Sequence, residues 1–130
     1  MLVERSAEFR FVAERSRFFA VLFPAADESD VTKMMRRMKG EQRKARHHCW
    51  AFRGRGPLGE RIEKSRDDGE VGHPGRVLLE LLRRDELQGG LLVSRVFGGV
   101  KLGVGGVSRA FRDAGAGAIA EYKKTSDVGS

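Results

Sequence analysis

Five glycines and a single lysine stand between Arg95 and Phe111, in the stretch RVFGGVKLGVGGVSRAF. At a strand-to-helix junction, unpaired backbone N–H groups and the positive end of the helix dipole attract anions. Glycine lets such a backbone come close to a phosphate, and Lys101 adds a point charge. Arg95, Gly98, Gly99, Lys101, Gly103, Gly105, Gly106 and Arg109 are therefore the candidates for an anion or partner site. The same composition also suits a turn with left-handed backbone or close helix packing, and both readings stand. The specific nucleotide signatures are not met. A P-loop carries its lysine after the glycines, whereas Lys101 precedes Gly103, Gly105 and Gly106. Those three give G-x-G-G, which misplaces the third glycine of a dinucleotide fingerprint.

A second cluster is acidic: Asp67, Asp68 and Glu70, with Gly69 supplying a D-G turn signal. Carboxylates at this spacing suit a Mg²⁺ site or a general base. They equally suit a structural lock, accepting hydrogen bonds from backbone N–H groups of a neighbouring loop, or a partner-binding edge. A third cluster is basic: Lys33, Arg36, Arg37, Arg43 and Lys44, on the face opposite Val31, Met34, Met35 and Met38. With only Glu41 opposing it, this face is either simply solvated or a surface for phosphates or an acidic partner. His47, His48, Cys49 and His73 lack a second ligand pair at zinc spacing. His48 and Cys49 are adjacent on a strand and point to opposite faces; His47 can share the face of Cys49, but a buried cysteine on a strand is usually a small hydrophobe. No metal, cofactor or catalytic residue is expected.

The elements that must position these groups follow from periodicity. Residues 8–15 alternate as a half-buried strand, and 16–23 form a more apolar strand stopped by Pro24. A helix follows, capped at Ser29 or Asp30. Residues 47–54 read as a strand, 61–64 as a short one, and a second helix runs from Arg76 to Gly89-Gly90. LLVSRVF is a buried strand, and Val107, Ala110, Phe111, Ala114 and Ala118 form the stripe of a third helix. Gly115 and Gly117 either weaken that helix or let it pack closely. The order predicts an α/β (α+β) two-layer sandwich: a mixed four- to five-stranded sheet with helices on one face. Residues 1–122 form one domain and 123–130 a disordered tail.

The chain has 130 residues, a net charge of +7 and one cysteine, so an internal disulfide is excluded. No apolar run reaches the ~18 residues of a membrane helix. A cytoplasmic protein is the expectation, and the positive charge suits either a polyanionic partner or solubility alone.

Four stretches resemble, in order, the motifs of the IMPACT/YigZ family. Ser16-Arg17-Phe18 is similar to its K-S-R-F strand, and His47-His48-Cys49-Trp50-Ala51-Phe52-Arg53 to its H-x-C-[YW]-A-[YF]-R strand. Asp67-Asp68-Gly69-Glu70, with Gly72, resembles S-DDGEP-G, and Arg95–Phe111 resembles its FGG-[IV]-KLG-x-GG signature. Val71 stands where the family has proline, and the run to Pro74 is shorter and lacks a threonine. The resemblance implies a fold like the second domain of ribosomal protein S-five. It also implies a non-enzymatic binding module of the translation-regulator type, active in stress responses, whose partner is RNA, the ribosome or an acidic ribosome-associated protein. Neither a membrane nor a specific DNA sequence is expected as partner. The alternative is a small enzyme acting on a phosphorylated ligand, with Lys101 binding phosphate and Asp68 or Glu70 as base or Mg²⁺ ligand. The oligomeric state is not readable.

Overall fold

A computed structural model describes residues 1–128, with side chains described through Thr125. Its elements are β1 (Ala7–Ala13), β2 (Ser16–Phe23), α1 (Glu28–Glu41), β3 (His47–Arg55), β4 (Arg61–Arg66), α2 (Pro74–Arg84), β5 (Gly89–Val96) and α3 (Gly103–Val128). The sheet order is β1-β2-β5-β3-β4, and every neighbouring pair is antiparallel. The expected mixed sheet is thus corrected. The last strand inserts between β2 and β3, so the two strands joined through α1 never pair with each other. A single parallel bridge, Leu2 to Gln88, lies outside the named strands.

The helices do not share one face, which corrects the two-layer expectation. Phe18, Ala20, Leu22, Cys49, Ala51, Leu91 and Val93 point toward α2 and α3 and form the larger core with Leu78, Leu82, Val107 and Phe111. Their alternate neighbours Val21, Phe23, Trp50, Phe52 and Leu92 point the other way and are covered by Val31, Met34, Met35 and Met38 of α1. All eight residues of β5 are buried, as a central strand covered on both faces must be.

Helix starts differ from the sequence reading for local reasons. Asp27 lies just ahead of the residues expected to cap α1 and is its N-cap, with its carboxylate accepting from the N–H groups of Ser29 and Asp30 at 2.9 and 3.3 Å. The start of α2 is Pro74, after a His73 N-cap in left-handed backbone with no side-chain cap bond. The apolar stripe of α3 begins at Val107, but the helix begins at Gly103. Gly115 and Gly117 serve close packing. A Cβ at Gly117 would overlap the Phe9 ring, and one at Gly115 would lie 2.9 Å from Leu78 and Leu81. Residues 123–128, expected as part of a disordered tail, continue α3; the tail's last two residues lie outside the described ones.

Just past the end of β5, Gly98 presses against the β1–β2 turn, where a Cβ would overlap the carbonyl of Arg15. Gly98→Ala should therefore destabilise the domain by about 1–3 kcal/mol through overpacking. Gly40→Ala, in α1 with nothing within 4 Å of the added methyl, should stabilise it by about 0.5–1 kcal/mol. Urea unfolding of both variants checks the pair; equal effects would contradict the close approach at Gly98.

Candidate functional site

The acidic stretch leaves β4 and turns back under the sheet end. Asp68, Gly69, Gly72 and His73 all have positive φ, so the chain reverses direction sharply before α2 begins. Each acid in this turn accepts a hydrogen bond within the fold, but only the Glu70 side chain is buried; Asp67 and the exposed Asp68 also line an open hollow with Lys64 and Arg66. The Asp67 carboxylate accepts from the Gly75 N–H at 2.8 Å, which caps α2 from outside the helix. The Asp68 carboxylate accepts from the His48 N–H at 2.8 Å. Glu70 accepts from Arg95 Nη1 at 3.2 Å and from its neighbour Val71 N–H at 3.0 Å.

Arg95 and Glu70 form a buried ion pair, with side-chain exposures of 8% and 5%. The second Arg95 amino group donates to Ser16 Oγ at 3.3 Å, and the same oxygen accepts from the Gly98 N–H at 3.2 Å. Arg95 Nε is buried without a hydrogen-bond partner among the described residues. The guanidinium lies 5.7 Å from the Phe18 ring centre and 5.5 Å from that of Phe97. Ser108, in the first turns of α3, donates to the Gly72 carbonyl at 2.6 Å. The acidic turn, the start of β2, the end of β5 and the start of α3 are thereby bonded together.

His47 points into the same region. Its Nδ1 donates to the Asp68 carbonyl at 2.9 Å, and its Nε2 lies 3.9 Å from Glu70 Oε2. His48 faces the opposite side of the strand, buried, and shares a 2.6 Å hydrogen bond with Ser94 Oγ. Burial pulls its pKa below 6.5. Cys49 donates to the Asp67 carbonyl at 3.1 Å, and burial, reinforced by the surrounding acids, pushes its thiol far above the range in which a thiolate forms. Among the described residues no three His, Cys, Asp or Glu side chains converge as a metal site.

The glycine stretch divides in two. Phe97 to Leu102 is a short loop, and Gly103, Gly105 and Gly106 belong to the first turn of α3. Lys101 and Arg109 are exposed, and no hydrogen bond or ion pair joins them to the acids among the described residues. Arg95, one of the anion candidates, is neutralised by Glu70.

The basic helix face is likewise redistributed. Arg37 is engaged, pairing with Glu8 at 2.8 Å and Glu41 at 2.9 Å. Lys33 is exposed on α1, and Arg36 lies beside Lys39 and Arg66 in a hollow floored by Trp50. Arg43 and Lys44 fall beyond the end of α1. Lys44 instead joins Arg46, His47, Arg95, Val96 and Phe97 around a cleft of about 510 Å³. No carboxylate lines this cleft, and Lys44 and Arg46 have no ion-pair partner among the described residues. Sequence reasoning does not single out Arg46, His47 and Phe97 as a binding group. The one signal for Arg46 is its place in the run K-A-R-H just before the strand; Phe97 carries none, because it ends an apolar run.

Residues 14–119 match the Impact N-terminal domain. The chain belongs to the IMPACT family. It is 35% identical to the IMPACT family member YvyE of Bacillus subtilis over 84% of this chain and 50% of that protein. A Thermus thermophilus IMPACT family member is 38% identical over 87% of this chain and 60% of its own length. The chain thus spans about half to three-fifths of these relatives. Among solved structures, a hypothetical protein superposes with a TM-score of 0.84 over 92% of this chain and 59% of its own, at 24% identity. The two-domain translational regulator Yih1 superposes with a TM-score of 0.51 over 91% and 45%, at 23% identity. Both likenesses concern the fold.

Two outcomes follow from the buried pair and the buried histidine. Glu70→Gln leaves Arg95 uncompensated and should destabilise the domain by about 3–5 kcal/mol, and adding Arg95→Met should restore most of that loss. A single-variant loss under about 1 kcal/mol would refute the structural role. Because His48 is held neutral, its contribution is complete above pH 6.5 and is lost as pH falls through its lower folded value. Urea unfolding at pH 7 and pH 5 should show a smaller drop for His48→Asn than for the parent; equal drops would contradict this.

Proposed function

We propose that this chain is a non-catalytic binding module of the translation-regulator type, docking through the basic surface at the end of α1 and the start of β3. One observation carries the reading. Asp67 and Asp68 each accept a backbone hydrogen bond and Glu70 is paired with Arg95, while Lys44 and Arg46, unpaired among the described residues, stand at a cleft that none of these acids lines. Positive charge left unbalanced beside a concave surface attracts a polyanion and sets the orientation of docking. The net charge of +7 adds to that field, and a separate hollow gathers Arg36, Lys39 and Arg66 against the single acid Glu28. Membership in the IMPACT family and the fold shared with a two-domain translational regulator support a partner in translation: RNA, the ribosome or an acidic ribosome-associated protein. A cytoplasmic setting accords with it, and no helix among the described residues is long and apolar enough to cross a membrane.

Turnover of a phosphorylated ligand draws less support. Glu70 faces Arg95 behind the cleft, Asp68 accepts from a strand N–H, and neither is bonded to Lys101 among the described residues.

Co-sedimentation with ribosomes at about 50 and 200 mM salt tests the reading. The parent chain should pellet at low salt and be released at high salt. Lys44→Glu with Arg46→Glu should reduce pelleting by roughly tenfold or more with an unchanged unfolding midpoint, since two phosphates lose their cations and meet like charge instead. Unchanged pelleting of the reversed variant, or none by the parent at low salt, would overturn the assignment.

A further inference from the structure

Phe97 is out of keeping with its neighbours. Val96 before it is 8% exposed, yet Phe97 is 54% exposed. The chain is anchored on either side of it. Gly98 is wedged against the β1–β2 turn and bonded to Ser16, and the fixed guanidinium of Arg95 lies 5.5 Å from the ring centre. An aromatic ring is therefore held half in water at the wall of a cleft whose rim carries Lys44 and Arg46. The cleft volume, about 510 Å³, falls within the roughly 300–1,000 Å³ of small-molecule sites.

From this arrangement we propose that the cleft seats a nucleotide of single-stranded RNA, its base stacked on Phe97 and its flanking phosphates on Lys44 and Arg46. The inference rests on the translation-linked reading above, which makes RNA the available polyanion. A planar base next to an anionic phosphate is what one exposed ring beside two cations can satisfy together. Stacking needs no particular base, because every base has a π-face. An acidic peptide would meet the cations but leave the ring without a flat partner. A second copy of this chain would bring like charge, at +7 on each. Arg95 does not compete for the phosphates, because Glu70 already holds it; its part is to fix the ring.

Fluorescence anisotropy with a labelled oligo(U) of about ten nucleotides on the full chain, at about 50 and 200 mM salt, tests this. Phe97→Leu keeps apolar bulk and removes the stacking face. It should weaken binding roughly 5- to 100-fold with the salt slope unchanged. Lys44→Gln with Arg46→Gln should reduce the slope of log K against log salt by about 1.4, that is about 0.7 for each single-strand phosphate no longer neutralised. An unchanged unfolding midpoint shows that each variant is folded. The proposal is overturned if Phe97→Leu binds as the parent does, or if a glutamate-rich peptide of equal charge displaces the oligonucleotide at equal concentration. It is also overturned if oligo(U) fails to bind while ribosome pelleting still depends on Lys44 and Arg46. That last result would retain the docking module and reassign its partner to protein.

Discussion

The ion pair between Arg95 and Glu70 is the constraint on which the site end of the molecule depends. Both side chains are largely buried, so water can satisfy neither charge fully, and each fixes the other's chain segment. Glu70 is thereby held under the end of β5, and Arg95 in turn engages the hydroxyl of Ser16 that also receives the Gly98 N–H. A buried pair of this kind adds little net stability over an apolar substitute, but breaking it is expensive. What it secures is register: segments distant in sequence are fastened where one wrong turn would leave a charge stranded. The stretches that carry the family motifs are these segments. Ser16, the His48–Cys49 strand, the Asp67–Glu70 turn and the Arg95–Gly98 junction bond to one another.

The bonds these acids accept have an electrostatic consequence. Asp67 caps α2, Asp68 holds β3, and Glu70 cancels Arg95. Lys44 and Arg46, at the mouth of the same region, then have no carboxylate to answer among the described residues. The basic cleft is lined by Lys44, Arg46, His47 and Arg95, whereas Asp67 and Asp68 line a different hollow. Gly98 serves this arrangement through its close approach to the β1–β2 turn.

Much of the fold is legible from residue patterns. The alternation in residues 8–15 and the apolar run 16–23 stopped by Pro24 mark two strands, and the spacing of Val31, Met34, Met35 and Met38 marks α1. The second covered face of the sheet goes unread, although LLVSRV without alternation is what a strand covered on both sides presents. Sheet direction is not readable, because the position of β5 between β2 and β3 is a long-range fact. At the site, the acids, the glycine junction, Arg95 and Lys44 stand out singly. Their sorting into spent and unspent charge depends on backbone donors such as His48 and Gly75, whose direction no side-chain pattern reports. Phe97 is hidden for a related reason: burial and exposure switch at the single residue where β5 ends.

The central claim is that the basic cleft, and not the acidic turn or the start of α3, is the surface the partner touches. An NMR titration of the uniformly ¹⁵N-labelled chain with single-stranded RNA measures this residue by residue. The largest backbone shifts should fall on Lys44 to His47 and Arg95 to Gly98, with Val107 to Ala118 of α3 silent. Shifts centred on Lys101 to Gly106 or on Asp67 to Glu70, with the cleft silent, would contradict it.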